Sequence, residues 1–267
     1  KKKKNNLKLT ISHIISLCKG VFHGNSIDFT VSHISIDSRS LQNGNNTLFF
    51  AIKGQNHDAH LYLEELIAKG VRYFVVEYIP EHLYEKANFI IVENSLKALQ
   101  QTAIGYRKQF DFPFVGITGS NGKTIVKEWL NFLLSPNHLI VRNPKSYNSQ
   151  VGVPLSILAI EGHYDLGIFE AGISLPNEMS NLEHIIQPKY GILTNIGSVH
   201  DEGFANREAK IKEKIKIFEN CSDIFLEKNT EIEVLLPENS QKHTWSFTDE
   251  SANLFVSKKN ENGKTEL

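Results

Sequence analysis

Short apolar runs, each stopped by a glycine or a polar cluster, recur along the chain in two textures that meet near residue 110. In the first texture "HISIDSR" predicts a strand that ends in polar residues, and "NTLFFAIKG" a strand stopped by Gly54. "DAHLYLEELIAKG" places Leu61, Leu63 or Glu64, Leu66 and Ile67 at helix-like intervals before Gly70. "VRYFVVEY" and "ANFIIVEN" read as buried strands. "SLKALQQTAIGYRKQF" puts Leu96, Leu99, Ala103 and Ile104 on one helical face and leads into the next region.

From Phe112 the order becomes regular. "FPFVGIT" is a strand, followed by a polar loop and a helix through about Leu134. "HLIVRN", "YDLGIFEAG", "PKYGILTNIG" and "SDIFLE" are strands; "GVPLSILAI", "PNEMSNLEHIIQ" and the long "NREAKIKEKIKIFENC" are helices between them. Strands alternating with helices predict a mostly parallel sheet with helices on both faces. After Glu227 the pattern blurs, and "SANLFVSKKNENGKTEL" ends on what reads as the start of a strand. The expectation is α/β throughout: a small mixed α/β domain over residues 1–108, then a P-loop-type domain over 109–267 that is incomplete at its C-terminal end.

Composition narrows the function classes. With 267 residues, 40% hydrophobic and 22% charged, the chain can fold as one large or two ordinary domains. A net charge of −1 gives no support to nucleic-acid binding, and the Lys1–Lys4 run reads as a solvated tail. No apolar run approaches the ~18 residues of a membrane span, and the basic start is followed by a mixed segment rather than a signal-peptide core. Two distant cysteines, Cys18 and Cys221, argue against a disulfide framework and fit a reducing cytosol, hence a cytoplasmic protein.

The chemistry concentrates in "TGSNGKT", Thr118 to Thr124, where a strand turns into a helix. Gly119 and Gly122 let backbone amides approach an anion, and the helix N-terminus adds positive potential. Lys123 can reach terminal phosphate oxygens and Thr124 can place a hydroxyl on Mg²⁺. The strict GxxxxGK[ST] pattern fails once, because its first glycine falls on Ile117. Downstream, Glu170, Asn195 and His200 stand at the ends of predicted strands, where open α/β sheets bind ligands. Lys214 follows on the helix after His200. Taken singly, Glu170 reads as a surface carboxylate, His200 as a loop histidine and Lys214 as a solvated lysine. Together they are what phosphoryl chemistry asks of a metal site beside phosphates.

"GITGSNGKT", "YNSQVGVP", "FEAG" and "TNIGSVH" followed by "KEK" resemble the Mur ligases, ATP-dependent amide-bond ligases of peptidoglycan synthesis, whose loop has this form without the first Walker glycine. "IDSRSLQNGNNTLFFAIKGQNHDAH" resembles the segment in which the family's N-terminal domain holds its UDP-sugar substrate. The resemblance implies that Thr118, Gly119, Ser120, Asn121, Gly122, Lys123, Thr124 and Asn195 bind ATP, with Lys123, His200 and Lys214 catalytic. It implies two Mg²⁺ sites drawing on Thr124, Glu170, His200 and a carbamylated Lys214, for which Lys212 and Lys216 are the competing candidates. Asn148 would line the substrate cleft. Ser38 and Arg39 would contact the uridine diphosphate end, with His57, Asp58 and His60 nearby, and Asp37 would brace the Ser-Arg turn.

Within the family, "GKTIVKEWL" and "GSVHDEGF" look most like the member that joins D-alanyl-D-alanine to UDP-MurNAc-tripeptide through an acyl phosphate, and "KSYNSQVGVPLSIL" like the version fused to an alanine racemase. The family's third, C-terminal domain, which supplies the amine site and closes over ATP, has no counterpart here, so the fragment is expected to bind the UDP-substrate, to bind ATP weakly at best, and to ligate poorly or not at all. Competing readings are the ligase adding the third stem residue and folylpolyglutamate synthase, which would lack a separate domain with "DSR…LFFAIKG". A reading from another class is a non-catalytic ATP-binding regulatory module, against which Glu170, His200 and Lys214 stand together.

Overall fold

A computed structural model of the chain describes residues 9–41, 44–54, 56–197, 204, 206–257, 259–261 and 264–266. The chain divides into two compact units, one of residues 1–111 with 154–163 and one of residues 112–153 with 164–267.

The first unit opens with β1 (Leu9–Thr10), α1 (Ile11–Cys18), β2 (Val21–His23), β3 (Thr30–Val31), β4 (His33–Ser35) and β5 (Thr47–Phe50). It continues with α2 (Leu63–Ala68), β6 (Tyr73–Val76), β7 (Asn88–Ile91) and α3 (Ser95–Arg107). The sheet order is β2-β7-β6-β5-β4, parallel except for the antiparallel β2–β7 pair. Phe49, Phe74 and Phe89 have no exposure and pack in series through its core, with ring centroids 6.2 and 5.6 Å apart.

Three expectations need correction here. The hydrophobic pattern did not single out α1, although Thr10 caps it by accepting from the amide of His13 and Ile11, Ile14 and Cys18 bury one face. Leu61 is exposed, because residues 59–62 form a tight 3₁₀ turn capped by Asp58; Leu63 and Leu66 are buried, and Ile67 packs beside them half-buried. In α3 the buried face runs through Ala98, Leu99, Thr102, Ala103 and Tyr106, and Leu96 and Ile104 flank it. A Cβ on Gly105 would lie 2.2 Å from Leu17, so α3 and α1 meet at a contact only glycine allows.

The second unit contains β8 (Phe114–Thr118), α4 (Lys123–Leu134), β9 (Ile140–Arg142), the first two residues of α5 (Gly152–Leu158), whose remainder belongs to the 154–163 segment of the first unit, β10 (Leu166–Glu170), α6 (Glu178–Ile186) and β11 (Tyr190–Leu193). Then come α7 (Arg207–Ile215), β12 (Asp223–Glu227), α8 (Thr230–Glu233), β13 (Gln241–Ser246) and β14 (Leu254–Phe255), and a short pair, β15 (Lys259–Glu261) with β16 (Lys264–Glu266). Among the described residues seven strands form a parallel sheet in the order β14-β13-β12-β11-β8-β10-β9, flanked by helices. Every residue of β8 is buried, as a strand covered on both faces requires.

The blurred tail is therefore sheet: β13 and β14 extend it beyond β12. β13, QKHTWS, is exposed at its start and buried at Thr244 and Ser246 and lacks a continuous apolar run, and α8 is one turn held by the Asn229 cap. The long helix expected through Cys221 is shorter, and α7 tightens into a 3₁₀ turn over Lys216–Phe218.

Both thiols are buried, and burial pushes each up; for Cys221 burial, reinforced by Glu183 and Asp223, raises it to about 12. The thiolate is the reactive form. Ellman's reagent at pH 8 is expected to find no fast-reacting thiol in the native chain and two after unfolding in guanidinium.

Candidate functional site

The strand order of the second unit reverses at β8. The chain leaves β8 for β9 on one side and, after β10, crosses to β11 on the other. The C-terminal end of β8 thus opens at a topological switch point, flanked by the ends of β10 and β11. Register pairs Glu170 with Ile117 and Leu193 with Thr118, so Glu170, Thr194 and Asn195 all arrive at the loop that follows β8.

That loop is built from backbone. Gly119 has φ +144°, and a Cβ there would lie 2.0 Å from Thr194 Oγ1 and 2.9 Å from the Asn195 carbonyl. The close approach lets the Ser120 amide donate to the Asn195 carbonyl (2.8 Å) and the Asn121 amide to Asn195 Oδ1 (3.0 Å). Thr194 Oγ1 donates to the Asn121 carbonyl at 2.6 Å, the Gly197 amide donates to Ser120 Oγ at 3.1 Å, and buried Thr118 donates its hydroxyl to the Ala171 carbonyl. Asn195 here braces the loop with both its carbonyl and its side chain. Gly122, φ +80°, precedes α4, whose N-terminus has no side-chain cap. Lys123 turns its ammonium over the loop and donates to the carbonyls of Gly119 (2.9 Å) and Ser120 (3.3 Å).

Glu170 has no solvent exposure. Its Oε2 accepts from Thr124 Oγ1 at 2.7 Å, and its Oε1 lies 3.5 Å from Asn148 Nδ2 and 3.8 Å from Lys127 Nζ. Sequence reasoning missed Lys127 and Asn143. Asn143 clamps the Glu170 backbone, donating from Nδ2 to its carbonyl (3.0 Å) and accepting its amide at Oδ1 (3.1 Å). Burial pulls the Lys127 ammonium below its ordinary value, and Glu170 and Glu128 oppose that shift. The available signal was the spacing: position 127 is one turn beyond Lys123 and Thr124, on the same helix face.

Lys214 is buried, against the solvated default for a lysine in that helix, and donates to the Gly119 carbonyl at 3.3 Å. Its competitors lie in ion pairs nearer the surface, Lys212 with Glu208 and Lys216 with Glu213. His200 lies outside the described residues. Among the described residues no three His, Cys, Asp or Glu side chains gather as a metal cluster.

In the first unit a cavity of about 480 Å³ is lined by Asp37, Ser38, Arg39, His57 and Tyr62, among others. Arg39 is clasped by Asp37 through its own amide (3.0 Å), Nε (2.9 Å) and Nη2 (2.9 Å), and these bonds hold the Asp37 carboxyl down at about 2. Asp58 and His60 are not in this wall. His60 is buried, its Nδ1 2.6 Å from Asp58 Oδ1 and its Nε2 accepting the Glu77 amide at 2.9 Å, which makes Nδ1 the protonated nitrogen. With both ring nitrogens used, His60 has none to offer a ligand. Burial pushes Asp58 up, but donors from His60 and Tyr78 hold it below its ordinary value.

Residues 117–266 match the model of the Mur ligase middle domain, and residues 30–107 that of the Mur ligase family, catalytic domain. The chain belongs to the Mur ligase family. Among curated Mur ligases it is 35% identical over 234 residues to the UDP-N-acetylmuramoyl-tripeptide–D-alanyl-D-alanine ligase of Borreliella burgdorferi, covering 82% of this chain and 50% of that one. To the ligase of the same name from Bacillus subtilis it is 28% identical, covering 81% and 47%. The chain thus spans about half the length of the curated relatives it matches. Its fold is that of MurF from Acinetobacter baumannii (TM-score 0.83, 23% identity, 91% of this chain and 54% of that one). MurF from Thermotoga maritima, solved with ADP, superposes with a TM-score of 0.76 at 25% identity, over 87% of this chain and 54% of that one.

Gly119→Ala combines a disfavoured backbone conformation with a clash against backbone, and is expected to cost about 1–3 kcal/mol. Thermal melting should show the loss; Gly162→Ala, where a Cβ meets nothing within 4 Å, removes a positive-φ glycine without the clash and should lose less.

Proposed function

We propose that this chain carries the nucleotide- and UDP-sugar-handling parts of an ATP-dependent amide-bond ligase of peptidoglycan synthesis, the one adding D-alanyl-D-alanine to UDP-MurNAc-tripeptide in the cytoplasm. The observation that carries the reading is the meeting of Thr124 and Glu170 at 2.7 Å beneath a glycine-built loop at the switch point. Curated relatives of that name support the substrate pair, and MurF solved with ADP supports nucleotide use at this fold.

A hydroxyl and a carboxylate oxygen side by side are hard donors of the kind Mg²⁺ takes, with phosphate and water completing its shell, so the residues present fit that ion. Mg²⁺ bound there would offset charge on the β- and γ-phosphates. The amides from Gly119 to Thr124 would cradle the phosphates, and Lys123 would swing from the loop carbonyls to the γ-phosphate. The substrate carboxylate then attacks the γ-phosphorus, ADP leaves, and an acyl phosphate forms; the amine of D-alanyl-D-alanine adds to the acyl carbon and expels phosphate. Two anions must approach in the first step, so cationic positioning supplies most of the catalysis and no enzyme nucleophile is required. Lys214, carbamylated, would with His200 hold a second Mg²⁺ near the acyl phosphate. Residues 1–108 would hold the UDP-MurNAc-tripeptide, with Ser38, Arg39 and His57 at the diphosphate.

A thermal-shift series separates the readings. UDP-MurNAc-tripeptide is expected to raise the midpoint more than UDP-MurNAc-dipeptide, and folate not at all; a larger shift with the dipeptide or with folate would reassign the substrate. Arg39→Ala should abolish the shift with the UDP-sugar and keep the shift with ATP and Mg²⁺. Lys123→Ala should do the reverse. In the full-length enzyme, Lys214→Ala should lose at least tenfold in turnover and regain part of it with short carboxylates; unchanged turnover would refute the carbamate role.

A further inference from the structure

Lys127 is completely buried, and nothing in the proposed reaction uses it. It projects from α4 into a polar pocket made by the β9–α5 connection and the end of β10. Its Nζ donates to the carbonyls of Asn143 (2.7 Å) and Lys145 (2.5 Å). Two carboxylates stand near it, Glu128 Oε1 at 3.7 Å and Glu170 Oε1 at 3.8 Å. They are not equivalent. Glu128 is 43% exposed and already pairs with Arg142 at 3.1 Å, so water and a second cation attenuate its pull. Glu170 is sealed from water, and Lys127 is the cation given to it.

We propose that Lys127 is a positioning residue for Glu170: it holds Oε1 and the 143–145 backbone together, so that Oε2 is presented beside Thr124 Oγ1 to a divalent cation. The geometry divides the carboxylate. Oε1 faces Lys127 and Asn148, both donors, and Oε2 accepts from Thr124, a hydroxyl that can rotate its hydrogen away and offer a lone pair instead. Asn143 ties the same assembly at the backbone, since it clamps residue 170 while its own carbonyl receives Lys127. Without the ammonium, the carboxylate would be left buried with neutral donors alone, free to turn Oε1 toward Thr124. Partners behind a metal ligand commonly change metal affinity by about 10–100-fold.

The inference rests on reading Thr124 and Glu170 as a Mg²⁺ site, and the test separates the two. Binding of methylanthraniloyl-ATP to the 267-residue chain is followed by fluorescence across a Mg²⁺ series and in EDTA, for the wild type and Lys127→Met. The wild type is expected to bind more tightly as Mg²⁺ rises; binding indifferent to Mg²⁺ would overturn the metal reading itself. Lys127→Met is expected to need at least tenfold more Mg²⁺ for half-maximal binding, with affinity in EDTA within about twofold of wild type. An unchanged Mg²⁺ requirement in the folded variant would overturn the positioning role and leave the metal reading intact. If Lys127→Met does not fold, Lys127→Met/Glu170→Gln decides the matter. Recovery of a cooperative melt in the double variant is expected, because the unpaired buried charge is gone; a double variant that also fails to fold would assign Lys127 to the loop carbonyls alone and overturn the proposal.

Discussion

A carboxylate with no access to water must be met by protein donors on each side, and the centre of the second unit is arranged around one. Glu170 ends β10 beside β8; α4 contributes Thr124 and Lys127 to it, and the β9–α5 connection contributes Asn148. Breaking a buried ion pair by removing one partner typically costs about 3–5 kcal/mol, because the survivor keeps its desolvation penalty. The constraint therefore reaches well beyond one side chain. It orients the start of α4, holds the connection through Asn143 and Lys145, and places Thr124 where a cation beside a phosphate would be useful.

The phosphate loop depends on a second constraint, close backbone contact. Ile117, where a Walker motif has its first glycine, is an interior residue of β8, paired with both Glu170 and Ile192 and packed with Val115 and Ile168. A glycine there would weaken a central strand. The conformational freedom is needed two residues later, at Gly119, where the chain leaves the sheet against Thr194 and Asn195. The departure from the motif is thus a matter of where the strand ends: this loop turns at Gly119, with the end of β11 as its floor.

Most of the second unit was legible because a parallel sheet writes itself as apolar runs separated by helices, and the candidate residues sit at the run ends. What escaped had physical reasons. β13 is built mostly of polar residues, QKHTWS, and even its buried positions are Thr244 and Ser246, so no apolar run marks it. α1 is eight residues long, and its cap and three buried positions are a faint signal. His60 entered the candidate set through the family resemblance alone, and burial and the Glu77 amide commit its ring to the fold. Lys214 was found through family resemblance; in "KIKEKIKIF" nothing local separates it from Lys212 and Lys216, and only packing buries one while leaving the others to ion pairs.

α4 shows why direction is harder to read than period. Its outward positions include Ile125, Trp129, Phe132 and Leu133, all more than half exposed, while Lys127 is completely buried. A helix placed by hydrophobicity alone would turn that apolar stripe toward the sheet and expose the lysine. Val126 and Leu130 supply enough contact with Val115, Ile117 and Ile168 to seat the helix the other way round. Two requirements then fix its rotation. Lys123 and Thr124 must face the loop and the β10 end, and position 127 follows them inward by helical geometry. A neutral residue at 127 would leave Glu170 without a cation; a lysine there satisfies the carboxylate and two carbonyls at once. The charge at the site, rather than the apolar moment of the helix, decides which way α4 faces.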